Sequence, residues 1–262
     1  MIQGLTPDSG PAVAGSPLTI SGANFQSGAI VRVGGLAAGG VSVNPTQISA
    51  KLPALPPGTL NDVVVMNPGG LAAQRLDAWF SDFLDVPATN IFQGAVEKAV
   101  RAGITSGCGG GYFCPNGTLT RAQAAKFLLR GEHGTSYVPP PARGAVFLDV
   151  AKSDPFAGWI EQLWAEGISS GCGNGNFCPG ETLNRASLAV LLLKTAHGSA
   201  YRPPAATGVF SDVPKSDTYA AWIEELAKEG ITSGCGGGDF CASKVASRGE
   251  MSVFLVRTFD LP

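Results

Sequence analysis

GITSGCGGGYFCPNGTLTRAQ, residues 103–123, decides the fold because the stretch returns twice more in the chain. GISSGCGNGNFCPGETLNRAS begins at 167, and GITSGCGGGDFCASKVASRGE begins at 230. Each copy sets two cysteines six positions apart around glycines and then places an arginine. The pairs are Cys108 and Cys114, Cys172 and Cys178, and Cys235 and Cys241, with no cysteine left over. A disulfide needs Cα atoms within about 7 Å, so each segment must fold back on itself. The intervening glycines supply the positive φ angles for that reversal. Structural zinc prefers closer pairs and more than two thiolates, and the chain holds only two histidines. A redox dithiol prefers C-x-x-C beside a strand and a helix. Three local disulfides, with no metal, are therefore expected, and they imply an oxidising, extracellular compartment.

The repeat extends beyond the loops. Phe83-Leu-Asp-Val86, Phe147-Leu-Asp-Val150 and Phe210-Ser-Asp-Val213 open three units. Apolar residues then recur at helical spacing: Phe92, Val96, Val100 and Ile104; Phe156, Ile160, Leu163, Trp164 and Ile168; Tyr219, Ile223, Leu226 and Ile231. A second helix follows each cysteine loop, over roughly 121–132, 185–196 and 248–259. Thr120, Asn184 and Ser247 are the expected N-caps, and Gln123 and Glu250 complete capping boxes that Ser187 leaves incomplete. Gly134 and Gly198 suit C′ positions, and His133 and His197 before them read as helix-end residues without a partner cluster. Glu161, Glu166, Glu224, Glu225 and Glu229 lie opposite the apolar stripe and read as a solvated face. Proline-rich connectors, such as Tyr137-Val-Pro-Pro-Pro, separate the units. The units span 81–143, 144–207 and 208–262.

Arg121, Arg185 and Arg248 each follow an N-cap directly, where a cation opposes the helix dipole. Two readings account for the recurrence. Free helix N–H groups, a glycine loop and an arginine fork make a site for a carboxylate or phosphate. Alternatively, each arginine pairs with Asp85, Asp149 or Asp212 of a neighbouring unit.

The order F-x-D-V, helix, G-I-x-S-G, glycine loop, then T-R-A-Q resembles three tandem S-layer homology repeats, of a cysteine-containing variety, over about residues 83–262. The resemblance implies a mainly α, pseudo-threefold bundle of helix-loop-helix repeats, whose grooves hold an anionic cell-envelope polysaccharide. It carries ligand-binding roles to Arg121, Arg185 and Arg248, to the loop glycines Gly107, Gly171 and Gly234, and to Asp85, Asp149 and Asp212. The sequence departs from the family where a basic residue often stands in place of Cys114, Cys178 and Cys241. Ala95 and Ala242 also replace a usual tryptophan and proline.

Residues 1–80 have another cadence. Short alternating runs at Pro17–Ser21, Ala29–Val33, Gln47–Lys51 and Asp62–Met66 are parted by turn residues, as in an all-β sandwich. LTPDSGPAVAGSPLTISGANF and LPPGTLNDVVVMNPGG resemble an IPT/TIG domain, which implies an immunoglobulin-like module. The chain therefore reads as multidomain, all-β first and mainly α after.

A formal charge of −2 offers no basic field for nucleic acid, and no apolar run is long enough for a membrane span. The start, MIQGLTPDSG, lacks the regions of a signal peptide, so the chain either follows a removed signal or is a piece of something longer. No catalytic set, metal-ligand cluster or phosphate loop stands out, so an enzyme and a cofactor are not expected. Two functions remain. The protein is a cell-surface structural protein whose repeats attach to an anionic polysaccharide, or a self-assembling S-layer or filament subunit, a homopolymer in which copies pack on one another.

Overall fold

The computed structural model describes residues 1–262. The chain divides into two compact units, residues 1–101 with 106–114, and residues 102–105 with 115–262.

In the first unit nine strands run in order: β1 (Ile2–Thr6), β2 (Ser9–Gly10), β3 (Pro17–Gly22), β4 (Ile30–Val33), β5 (Leu36–Ala37), β6 (Gly39–Asn44), β7 (Gln47–Lys51), β8 (Leu60–Met66) and β9 (Ala72–Ser81). They form one sheet in the order β1-β3-β7-β6 and another in the order β2-β9-β8-β4-β5. All neighbours are antiparallel except β2 and β9. The period-2 pattern decides which face each sheet buries. Leu18, Ile20 and Ile48 of one sheet share a core with Val31, Val33, Val63, Val65 and Trp79 of the other. The four runs legible in the sequence are β3, β4, β7 and β8. β9 shows no such run, because its exposed half, Gln74 to Asp77, breaks the alternation.

The end of β9 starts a second core in the same unit. Phe80 packs with Phe83, Val86, Val96, Val100 and Phe113, so helix α1 (Gln93–Arg101) and the first cysteine loop belong here. Arg101 holds α1 in place, donating to the backbone oxygens of Asp77 and Asp8 at 2.9 and 3.0 Å while pairing with Glu97.

The second unit contains α2 (Arg121–His133), α3 (Ala157–Ala165), α4 (Arg185–His197), α5 (Ala220–Lys228) and α6 (Arg248–Thr258). Helices α2, α4 and α6 touch one another pairwise, with α3 against α2 and α5 against α4. Their core holds Leu128, Leu192 and Leu255 from the second helices with Ile160, Leu163, Ile223 and Leu226 from the first. The three N-caps accept the N–H three residues on, and both expected capping boxes are closed. Trp164 departs from its expected place in the stripe and is 49% exposed. The core takes Leu163, and the next residue falls about 100° farther round the helix.

Segments before the second helices lock together through a closed ring of backbone bonds. Leu119 N–H donates to Ala246 O, Ala246 N–H to Leu183 O, and Leu183 N–H to Leu119 O, at 3.2, 2.9 and 3.1 Å.

Candidate functional site

All three cysteine loops are closed by the expected disulfides, with Cα–Cα separations of 6.1, 6.0 and 6.0 Å and no free thiol. The first cysteine of each loop donates its N–H to the residue four on, making a tight hairpin. The second cysteine is itself left-handed, with φ of 61° at Cys114, 58° at Cys178 and 59° at Cys241. Such a turn needs a device that holds it. The opening aspartate of the same repeat supplies it. Asp149 accepts the N–H groups of Phe177 and Cys178 at 2.7 Å each, one per carboxylate oxygen. Asp85 does the same for Phe113 and Cys114, and Asp212 for Phe240 and Cys241. Burial alone would raise the Asp212 carboxyl, but its backbone N–H donors outweigh that and hold it below the ordinary range.

The loop glycines have an equally local cause. Gly171 sits at φ 92°, and a Cβ there would overlap the Asn176 carbonyl oxygen and press on the Phe147 ring. Gly107 and Gly234 meet the same obstacle at Tyr112 with Phe83, and at Asp239 with Phe210.

Each second helix of one repeat then clasps the loop of the next. Arg121 N–H donates to Glu181 O and Ala122 N–H to Pro179 O, while Thr120 caps the Gln123 N–H. Helix α4 repeats this on Lys244 O and Ala242 O, and α6 on Gly117 O and Pro115 O. This corrects the premise of free helix N–H groups: the first three of each helix are spent on a neighbouring carbonyl or the cap.

The arginine side chains follow their backbones across the same junctions. Arg121 Nε donates to Phe177 O at 2.7 Å, with its guanidinium 4.9 Å from the Phe177 ring centre. Arg185 Nε donates likewise to Phe240 O at 2.9 Å and stacks 4.7 Å from that ring. The sequence-level pairing of arginine with aspartate therefore takes an indirect form. One peptide segment lies between them, its N–H held by the aspartate and its C=O by the arginine.

Beyond that the junctions diverge. Arg185 is 3% exposed; its Nη1 meets Glu250 at 3.1 Å and its Nη2 meets the Thr232 hydroxyl at 3.4 Å. Glu250 also accepts from Lys244 and from the Ser247 N–H. Burial would raise that carboxyl, but the Ser247 N–H, Lys244 and Arg185 together pull it below its ordinary value. At the first junction Ser187 occupies the place of Glu250, and Ser169 that of Thr232. Arg121 is only half-buried and forms no ion pair within 4 Å. Arg248 is buried, 5.8 Å from the Phe127 ring.

Two further readings need correction. His133 and His197 do have partners: they meet Glu166 at 2.9 Å and Glu229 at 2.8 Å, and stack on Tyr137 and Tyr201 at 4.3 and 4.5 Å. The signal was present as two His–Glu pairs at nearly equal spacing in consecutive repeats. The supposedly solvated glutamates are engaged as well. Glu161 accepts the N–H groups of Arg143 and Gly144, and Glu225 is buried beside Lys228. Glu224 accepts three N–H groups from Thr207 to Val209 and the Thr207 hydroxyl. Despite burial, which would raise it, these donors lower its carboxyl to about 2.

Comparison with known proteins agrees with the repeat and sandwich readings. Residues 1–78 match the IPT/TIG domain, and residues 82–125, 146–189 and 209–252 match the S-layer homology domain. A protein of Thermoanaerobacter kivui described as "Cell surface protein" is 26% identical over 182 residues, 69% of this chain and 21% of its own length. The chain thus spans about a fifth of that relative. Two structures of the plexin A4 extracellular region match 31% and 32% of this chain, and 8% and 7% of their own, at 23% and 24% identity. Their TM-scores, 0.27 and 0.28, are too low to speak for fold or function. No helix is long and apolar enough to cross a membrane.

Proposed function

Because the chain belongs to the S-layer homology family, with an IPT/TIG domain ahead of its three repeats, we propose that it is a non-enzymatic structural protein of the cell surface. In this reading its repeats form a pseudo-threefold bundle that attaches to an anionic envelope polysaccharide and displays the β domain. The closed ring through Leu119, Leu183 and Ala246 supports the pseudo-threefold arrangement. The disulfides support an extracellular location, as does the surface description of the kivui relative.

The polymer site is assigned to the junction of α2 with the second cysteine loop, and one observation carries it. Of the three arginines that follow an N-cap, Arg121 is the half-buried one, its guanidinium held in place on the next loop with no carboxylate within ion-pair distance. A fixed fork that keeps its charge suits a sugar carboxylate or phosphate. Arg185 spends its charge on Glu250, and the aspartates and loop glycines shape the loops without needing to touch the polymer. Binding of purified envelope polysaccharide, compared between the wild type and Arg121→Ala, tests the assignment. A loss on the order of tenfold, the worth of one charge-assisted contact, is expected. Unchanged binding would remove the site. Filaments formed by the purified protein without polymer would favour the alternative reading, assembly between copies.

A further inference from the structure

The two repeat-to-repeat histidines sit in unequal company. At the first, His133 Nε2 lies 2.9 Å from Glu166 Oε1 and 3.8 Å from Glu132 Oε2. One ligand atom from each of the three residues lies within 4.8 Å of the other two. At the second, His197 has Glu229 at 2.8 Å, but Ala196 stands where Glu132 would be.

The extra carboxylate is an electrostatic burden. With Glu166 it sets two carboxylates against one imidazole, so negative charge outnumbers positive at this junction. Both helices that build the cluster also point their negative ends at it. Glu132 and His133 close the last turn of α2, and Glu166 is the C-cap of α3. Glu166 Oε2 is buried with no hydrogen-bond partner, while Oε1 takes both His133 and the Gln162 amide. Two helix ends, two carboxylates and an unsatisfied carboxylate oxygen all call for positive charge.

We propose that Glu132, His133 and Glu166 bind one divalent transition-metal ion of the zinc type, which pins the first repeat to the second. One imidazole nitrogen with two carboxylates suits a borderline cation. Tetrahedral ligands at bond lengths near 2.0–2.1 Å lie about 3.3 Å apart, within the spread found here. Gln162, bonded to Glu166, orients that ligand as an outer partner. Water would complete the coordination.

The test is calorimetric titration of tag-free, disulfide-intact protein with zinc chloride, with thermal unfolding followed alongside. One equivalent and a raised Tm are expected for the wild type. His133→Ala should abolish uptake, Glu132→Ala should weaken it on the order of tenfold or more, and His197→Ala should change nothing. Ala196→Glu should build a second equivalent at the other junction. No uptake at roughly 100 μM zinc, a concentration far above any structural site's need, would overturn the proposal. So would uptake that survives His133→Ala, or Ala196→Glu that stays at one equivalent.

Discussion

The clasp of α2 on the second cysteine loop and the clasp of α4 on the third use the same backbone bonds and the same Nε-to-carbonyl contact. They end in opposite electrostatic states. At the α4 clasp a carboxylate, Glu250, closes on the guanidinium and burial is nearly complete; at the α2 clasp a serine, Ser187, leaves it half-open. The backbone fixes where an arginine goes, and one side chain at the third position of the following helix decides whether its charge stays available. A repeat protein can in this way carry a closed, ion-paired junction and an open one on the same scaffold.

The largest expected difference follows from removing each arginine. Arg185→Ala strips the partner from a mostly buried carboxylate and should cost about 3 kcal/mol in urea unfolding. Arg121→Ala loses a carbonyl bond and a ring contact and should cost about 1.5 kcal/mol. Equal losses would break the comparison.

Acid should separate the junctions next. The folded-state carboxyl of Glu250 lies below its ordinary value, so its contribution is fully present above about pH 4.5 and is lost as pH falls through the folded value. Unfolding of the wild type and Glu250→Gln, followed from pH 6 downward, should show a gap that narrows below pH 4.5. A constant gap would mean the pair does not stabilise the clasp. Glu224 should behave similarly on a smaller scale, because it is half-buried at the surface and its donors are screened by solvent. Its window runs from about 4.5 down to about 2, where the carboxyl titrates in the fold. Glu224→Gln should therefore loosen the 207–209 connector at pH 6, with the difference shrinking as pH falls toward 2 and gone below it, as read by protease cleavage there.

Much of this was legible in the chain, for reasons that can be named. Equal C-x5-C spacing with glycines between gave the disulfides because short loops leave no other partner. The capping residues placed the second helices to within about one residue, since caps are local chemistry. The clasps were not legible, because a donor such as Arg121 N–H and its acceptor Glu181 O lie sixty residues apart in the chain, and backbone acceptors carry no residue signature. For the same reason the helix ends looked free. Ser187 was visible as a weak capping residue, but its consequence for Arg121 depends on which loop faces which helix.

The most direct measurement is therefore on Ser187→Glu. The new carboxylate would stand beside Arg121 as Glu250 stands beside Arg185, closing the capping box and neutralising the open cation. Titration of purified envelope polysaccharide, with Tm recorded on the same samples, should find unchanged or raised stability and binding weaker by about tenfold. Binding that matches the wild type would contradict the assignment of Arg121 as the polymer's contact.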